Sequence, residues 1–208
     1  FITTMNIDGL TNIKYFDCTY NLMTSLSVTN LPNLESLYCQ NNQLTSLNVS
    51  GLPSLWQLFC ENNQIPTLNL SGSFPNLRTI ICDNNQLTSL YFDPSINLWG
   101  LRCENNHLTA INGLSGMSYL NHLYCKNNQI TSLTINGPAD FGTLSCGDNP
   151  MTSLNLSNLP NFEYFYCENT LLSSLDLNEF PEMRDIRISN NSALTEIFYK
   201  NHRPRTAL

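Results

Sequence analysis

The hydrophobic positions of this chain recur with a period of 21 or 22 residues. In one unit the apolar positions are, in order, Leu34, Leu37, Cys39, Leu44, Leu47 and Val49. Around Leu37 and Cys39 the alternation has a period of two, which predicts a half-buried strand whose variable residues face solvent. A second alternation, at Leu47 and Val49, predicts a short extended segment on the opposite wall. Each unit is therefore predicted to contain two extended segments joined by turns.

Eight full copies of the unit follow one another along the chain. They begin at Ile13, Leu34, Leu55, Leu77, Leu98, Leu120, Phe141 and Phe162. We therefore predict a half repeat over residues 1–12, eight repeats over 13–182, and a degenerate ninth repeat with a C-terminal tail over 183–208. One unit cannot bury its apolar stripe alone, so the units are expected to stack into a continuous core.

Two segments carry the repeat in its clearest form: LESLYCQNNQLTSLNV at residues 34–49 and LNHLYCKNNQITSLTI at residues 120–135. They resemble the leucine-rich repeat family, and within it the bacterial 21-residue class L-x-x-L-x-C-x-x-N-x-L-x-x-L-x-L. The resemblance implies a right-handed solenoid with a parallel β-sheet on its concave face, short extended segments and turns on its convex face, and little or no helix. It leaves the ligand open, because this scaffold carries many functions.

Eight cysteines occupy one position of the repeat. They are Cys18, Cys39, Cys60, Cys82, Cys103, Cys125, Cys146 and Cys167. In-register side chains of parallel neighbours point the same way, with Cβ atoms about 4.8 Å apart, beyond the roughly 3.5 to 4.5 Å of a disulfide. We therefore predict buried free thiols that pack as small hydrophobic groups.

An asparagine follows the cysteine by three residues in the first seven repeats, and its amide is expected to bind backbone groups of the adjacent coil. These residues are Asn21, Asn42, Asn63, Asn85, Asn106, Asn128 and Asn149. Thr170 replaces asparagine in the eighth repeat, and we expect the turn to open there. A second set suits the left-handed helical conformation in the turn itself: Asn41, Asn62, Asn84, Asn105 and Asn127.

Composition and charge exclude several functions. A net charge of −7 and a pI near 4.7 give no field that attracts nucleic acid. No apolar run approaches the roughly 18 residues of a membrane span. None of the three histidines, His107, His122 and His202, is paired with a nucleophile, because Cys125, the cysteine nearest His122, is predicted to face the core. With no phosphate loop or metal-ligand spacing, we predict no catalytic, metal or cofactor site.

Aromatic and arginine residues gather on the variable face of the predicted strands. The position before each cysteine includes Tyr38, Phe59, Arg102, Tyr124 and Tyr166. At the start of three successive strands stand Trp56, Arg78 and Trp99, at about 4.8 Å spacing that lets the guanidinium lie between the indoles. Such clusters are typical of protein-binding hot spots, whereas cross-strand pairing that merely stabilises the sheet is the alternative interpretation.

The seventh repeat predicts a notch, because its outward residues are all small: Gly142, Thr143, Ser145 and Gly147. The walls of the notch are His122 and Tyr124 on one side and Tyr164 and Tyr166 on the other. A side chain or a sugar ring could insert between these aromatic walls.

The position after each cysteine predicts an acidic edge, formed by Glu61, Asp83 and Glu104 on adjacent strands. Mutual repulsion there would favour a basic partner. The alternative is a solvated edge partly neutralised by Arg78, Arg102 and Lys126.

These patterns predict a non-catalytic module that binds a protein, either from a host or from a cell surface, through its concave face. A carbohydrate-binding surface protein is the first alternative, and the substrate-recognition arm of a larger effector enzyme is the second. The repeat class and the charge-poor exterior favour the surface of a bacterium or the extracellular space. Eight free thiols favour the cytoplasm instead.

Overall fold

A computed structural model describes residues 1–72, 74–93 and 95–199. Strands of two walls alternate along these residues. The concave wall contains β1 (Tyr15–Asp17), β3 (Ser36–Tyr38), β5 (Gln57–Phe59), β7 (Thr79–Ile81), β9 (Gly100–Arg102), β10 (His122–Tyr124), β12 (Thr143–Ser145), β14 (Tyr164–Tyr166) and β16 (Asp185–Arg187). The convex wall contains β2 (Ser25–Thr29), β4 (Ser46–Ser50), β6 (Thr67–Leu70), β8 (Ser89–Phe92), β11 (Ser132–Asn136), β13 (Ser153–Ser157), β15 (Ser174–Asp176) and β17 (Glu196–Phe198).

The concave strands form one parallel sheet of nine strands in chain order. Equivalent residues of successive repeats pair, as Tyr38 does with Phe59. Helix is limited to one 3₁₀ turn, Leu114–Gly116, within the described ranges. The predicted solenoid, with a parallel concave sheet and extended segments opposite, is therefore confirmed.

The core lies between the two walls and is filled by the repeat positions named above. All eight cysteines are buried free thiols. Four of them donate to a carbonyl oxygen of the next strand, as the Cys39 thiol does to that of Phe59 at 3.4 Å. Burial raises the pKa of the Cys18 thiol to about 12 and holds that of Cys39, within the stack, well above its usual value. At the C-terminal end, hydrogen bonds with Cys146 and Thr170 lower the pKa of Cys167. The cysteines therefore act as apolar packing groups.

The asparagine column joins successive coils. The Asn63 amide nitrogen donates to the Cys39 and Cys60 carbonyl oxygens at 3.1 and 3.0 Å, and its oxygen accepts the Leu44 N–H at 2.9 Å. One side chain thus satisfies backbone groups of its own and the preceding coil. The turn asparagines adopt φ values of 54–57°, which confirms their left-handed conformation: Asn41, Asn62, Asn84, Asn105 and Asn127.

The eighth repeat does not open where threonine replaces asparagine. Thr170 is only 2% exposed, and its N–H and hydroxyl both donate to the Asn191 side-chain oxygen, at 2.6 and 2.8 Å. The Asn191 amide in turn donates to the Cys167 carbonyl oxygen at 2.8 Å. The expected opening is therefore wrong, because the ninth unit supplies an asparagine that closes the turn.

The convex wall is less regular than the concave one. Its strands pair two by two, and the fifth repeat has no convex strand although its residues 98–116 are described throughout. Gly113, at φ 87°, stands where Val49 stands in the second repeat, so the extended conformation cannot continue there.

In the ninth unit, β16 pairs with β14 at a separation of 21 residues and β17 with β15 at 22. Leu194 and Ile197 stand one residue out of phase with the repeat, and this difference in separation accommodates the shift. The rest of the predicted tail, residues 200–208, lies outside the described residues.

Candidate protein-binding surface

A groove follows the concave sheet on the side where its strands begin. Three adjoining cavities of about 410, 430 and 370 Å³ form it, and we call them the first, middle and third compartments of the edge groove. Trp56 lines the first and middle compartments, and Trp99 lines the middle and third. Each tryptophan therefore stands at the boundary between two compartments. The two side chains are 57% and 50% exposed.

The sheet fixes the positions of both tryptophans. Trp56 directly precedes β5 and Trp99 directly precedes β9, with β7 between these strands. The Trp56 N–H donates to the Glu35 carbonyl oxygen and the Trp99 N–H to that of Arg78, both at 2.8 Å. Two strand steps place the tryptophan backbones about 9.6 Å apart.

The predicted stacking of Arg78 between the two indoles is wrong. One guanidinium nitrogen, Nη1, donates to the carbonyl oxygens of Pro75 and Leu77, both at 3.0 Å. The guanidinium carbon lies 5.9 Å from the centre of the Tyr119 ring. Hydrogen bonds from a charged donor outweigh an exposed cation–π contact, so the side chain turns toward these carbonyls. Arg78 still lines the first and middle compartments.

The third compartment corresponds to the strand-start half of the predicted notch. It is lined by His122 and Tyr164, with Gly142 between them. The imidazole of His122 meets the Trp99 ring edge-to-face at a centroid distance of 4.6 Å. Its Nδ1 is buried with no hydrogen-bond partner among the described residues, and burial lowers the pKa of the imidazole. Burial therefore favours the neutral form of this imidazole.

The other half of the notch is occupied. Ser145 is only 6% exposed between Tyr124 and Tyr166. At Gly147, an added Cβ would lie 2.9 Å from the Glu168 carbonyl oxygen. The small residue at position 147 is thus explained by the close approach of the next coil and leaves no opening at this end.

Among the groove residues that the repeat pattern did not predict, Tyr119 and Asp140 depart from that pattern. Tyr119 lines the middle compartment, and Asp140 lines the middle and third. Both stand immediately before the first apolar residue of a repeat, a position held by asparagine in most other repeats: Asn12, Asn33, Asn76, Asn97 and Asn161. Departure from that asparagine is the signal that could have identified them.

A second row of aromatic residues crosses the middle of the concave sheet. Tyr38 and Phe59 pack with ring centres 5.1 Å apart. Farther along, the Arg102 guanidinium lies 5.2 Å from the centre of the Tyr124 ring, and Arg187 lies 4.9 Å from that of Tyr166. Cross-strand contacts therefore fix this row in place.

The acidic edge is compensated by one arginine. Nη2 of Arg102 lies 2.9 Å from Asp83 Oδ2 and 3.3 Å from Glu104 Oε2. The predicted contributions of Arg78 and Lys126 are not direct, because Arg78 turns away and Lys126 pairs with Asp148 at 3.1 Å.

The third acidic residue, Glu61, has a buried Oε2 without a hydrogen-bond partner in the described structure. Burial raises the pKa of Glu61, Asp83 and Glu104. Burial therefore opposes ionisation of all three carboxyl groups, and the charge of Arg102 acts in the opposite direction.

Within the residues that the structure describes, neither a cluster of metal ligands nor a helix suited to span a membrane is found. In the described ranges, no three His, Cys, Asp or Glu side chains are grouped so that they could hold a metal ion. No helix in those ranges is long and apolar enough to cross a membrane. Cys125 is fully buried, whereas its neighbour His122 lies on the concave face, so the two side chains do not form a dyad.

The architecture is similar to that of known leucine-rich repeat proteins. A model described as Leucine Rich repeats (2 copies) matches residues 11–54. The functional domain of InlJ from Listeria monocytogenes, which includes a cysteine ladder, is 26% identical with a TM-score of 0.68 over 93% of this chain and 48% of that one. YopM from Yersinia enterocolitica WA-314 is 22% identical with a TM-score of 0.71, over 94% of this chain and 46% of that one.

The leucine-rich effector protein YopM from Yersinia pestis is also similar in structure, at 23% identity and a TM-score of 0.59, over 88% of this chain and 59% of that one. No curated protein matches the chain in sequence. The chain therefore spans roughly half the length of the solved structures it resembles, and the likeness to YopM concerns the fold alone.

Proposed function

Because this chain is a leucine-rich repeat protein, we propose that it is a non-catalytic module whose concave face binds a protein partner. The family is generally a protein-binding scaffold. The observation that carries the proposal is the edge groove, where Trp56 and Trp99 stand half exposed beside open compartments. Large aromatic side chains of this kind bury much area at low entropic cost when a partner covers them.

In the described residues, the convex wall from β2 to β15 lacks a comparable surface, and exposed Ile197 and Phe198 lie beyond it on β17. Across convex strands β2 to β15, Tyr91 is the one large hydrophobic side chain that is exposed among the described residues. Solvent would tolerate small polar residues equally well on both walls, so the concentration of aromatics on the concave wall favours binding there. The acidic edge beside Phe59 and Tyr124 favours a partner with basic groups.

We place the protein at the surface of a bacterium or outside it, with a host or cell-surface protein as its partner. The repeat class and the structural similarity to InlJ from Listeria monocytogenes support this placement. The eight thiols are compatible with it because they are buried.

Carbohydrate binding is the second candidate, and the third compartment favours it. Polar side chains of Asn121, Asn161 and Glu163 line this compartment beside Trp99 and Tyr164. Stacking on an aromatic ring together with amide and carboxylate hydrogen bonds is the chemistry that a sugar ring requires.

Capture experiments with three proteins test the proposal: the wild type, the variant Trp56→Ala/Phe59→Ala/Trp99→Ala/Tyr124→Ala, and the convex control Tyr91→Ala. Circular dichroism first establishes that all three are folded. Each protein is then immobilised and exposed to solubilised host-cell surface proteins and to a glycan array. A protein retained by the wild type and the control but lost by the concave variant supports the proposal. A glycan with that pattern supports the second candidate, and material retained equally by all three contradicts both.

A further inference from the structure

We infer that the edge groove recognises a proline-rich segment of the partner in the polyproline II conformation, with a basic side chain directed at Asp140. The inference rests on the proposed function and deepens it by naming the chemistry of the recognised segment. Three observations carry it: the spacing of the two tryptophans, the hydrogen-bonding groups between them and the charge of the third compartment.

The spacing of Trp56 and Trp99 matches one conformation of a bound peptide. Both precede strands of one sheet, two strand steps or about 9.6 Å apart. A polyproline II helix has three residues per turn and a rise of about 3.1 Å, so equivalent side chains recur every 9.3 Å or so. An extended strand presents its same-face side chains every ~6.6 Å and an α-helix turns every ~5.4 Å. Neither of these periods matches the distance of about 9.6 Å between Trp56 and Trp99, which stand at the two ends of the middle compartment.

The middle compartment offers hydrogen-bond donors to such a segment. The side-chain oxygen of Gln57 accepts the Ser36 and Tyr38 hydroxyls, both at 3.3 Å, which orients its amide NH₂. Gln57 lines the middle compartment, and its NH₂ has no acceptor in the described part of the chain. The indole N–H groups are likewise donors only. A proline-rich segment lacks N–H groups but exposes unpaired carbonyl oxygens, so it presents the acceptors that this surface lacks.

Charge fixes where a basic residue of the segment would lie. Glu35 in the first compartment is bonded to Lys14 at 2.7 Å, and Glu163 in the third is bonded to Arg184 at 3.0 Å. Asp140 enters no salt bridge within the described ranges, and it lines the middle and third compartments. Arg78 borders only the first two compartments, so a cation from the partner is favoured in the third, beside Asp140 and the Trp99 ring.

Intrinsic fluorescence provides a direct readout, because both tryptophans of the chain lie in the groove. The probes are fluorescein-labelled peptides of ten residues. Two contain nine prolines and one arginine, placed at the N-terminus in one peptide and at the C-terminus in the other. The third contains ten prolines, and the fourth is a Gly/Ser peptide with one arginine. We expect the fluorescence anisotropy of a labelled arginine–proline peptide to rise as it binds the protein. The unlabelled form of the same peptide should shift the tryptophan emission. The Gly/Ser peptide, which matches its charge and length, should do neither.

Variants assign the contacts. Trp56→Ala and Trp99→Ala should each weaken binding about tenfold, whereas the convex control Tyr91→Ala should leave it unchanged. Asp140→Asn should lower the affinity for the arginine–proline peptide about fivefold. The affinity for the ten-proline peptide should not change, because that peptide lacks the cation.

The inference is overturned if the Gly/Ser peptide binds as tightly, if no proline peptide binds, or if binding survives Trp99→Ala. It is also overturned if chitohexaose shifts the tryptophan emission and the proline peptides do not, since this result favours a sugar site. A captured protein that requires Trp56 and Trp99 but contains no exposed proline-rich segment overturns the inference while leaving the proposed function standing.

Discussion

Arg102 and Asp83 are joined across two adjacent strands: Nε and Nη2 of the guanidinium lie 3.0 and 2.9 Å from the same carboxylate oxygen, Oδ2. The other oxygen accepts the Glu104 N–H at 2.7 Å. The Asp83 side chain is 9% exposed, so its charge depends on these contacts. One exposed arginine therefore holds a buried carboxylate in the middle of the acidic edge.

Removing that arginine should destabilise the solenoid. We expect Arg102→Ala to lower the free energy of unfolding by about 2 kcal/mol, because Asp83 stays buried without a cation. Arg187→Ala is the matched control, since Arg187 also stacks on a tyrosine but pairs with the exposed Asp185. The control should lose less than about 1 kcal/mol in urea unfolding. Equal losses would show that burial of Asp83 contributes nothing.

Stability should fall as pH rises through the range in which the acidic edge ionises. The raised pKa values of Glu61, Asp83 and Glu104 mean that the folded state binds protons more tightly than the unfolded state. Their contribution is therefore greatest below the ordinary carboxyl pKa of about 4 and is lost as pH rises through the raised values. Glu61→Gln, which removes an unpartnered carboxylate, should increase stability at pH 7 and flatten this slope.

Unfolding in urea at intervals from about pH 3 to 7.5 measures that slope, because this range includes the ordinary carboxyl pKa of about 4. Glu35→Gln is the control of opposite sign, because Lys14 lowers the pKa of Glu35 and its contribution is lost as pH falls. A slope that Glu61→Gln leaves unaltered would contradict this account of the acidic edge.

The two glycines of the seventh repeat should respond differently to substitution. Gly147→Ala places a Cβ 2.9 Å from the Glu168 carbonyl oxygen and 3.1 Å from its nitrogen, and should destabilise by about 1 to 3 kcal/mol. In Gly142→Ala the added Cβ has no neighbouring atom closer than 3.7 Å, so the free energy of unfolding should change by less than about 0.5 kcal/mol. Thermal unfolding compares them, and equal effects would mean that Gly147 is not selected by contact with the next coil.

The asparagine column should contribute strongly to stability. The Asn85 amide donates to the Cys60 and Cys82 carbonyl oxygens at 3.0 and 3.1 Å, and its oxygen accepts the Ile65 N–H at 3.0 Å. Asn85→Ala leaves these buried backbone groups unpaired, so it should lower the free energy of unfolding by about 2 to 4 kcal/mol. Asn48→Ala, on the exposed convex face, should cost less than about 0.5 kcal/mol in the same urea titration. A small loss at Asn85 would contradict the role of the column.

The fold was predictable from sequence because each element depends on residues that recur. Leu37 and Cys39 fix the inward face of a strand, and Asn41 signals the left-handed turn that follows. Thr170 misled the prediction because its compensation by Asn191 comes from the next coil, across the irregular ninth unit. The missing convex strand of the fifth repeat was readable in principle from Gly113, which stands in an apolar column.

The candidate site was less predictable, because its geometry depends on side-chain conformation and on loops. Strand spacing correctly placed Trp56 and Trp99 on one edge, but it could not show that the Arg78 guanidinium would turn to the carbonyls of Pro75 and Leu77. Asp140 escaped notice because it precedes the strand pattern. Whether these residues bind a ligand stays a prediction.

The central claim, that a protein binds the concave face, is tested most directly by photo-crosslinking. Benzoylphenylalanine is placed at Tyr38 or Tyr124 on the concave sheet, and at Tyr91 on convex strand β8 as the control. After irradiation with the captured partner, the two concave positions should give covalent complexes and the convex position should give none. Crosslinking from Tyr91 with none from Tyr38 and Tyr124 would place the interface on the other wall and contradict the account.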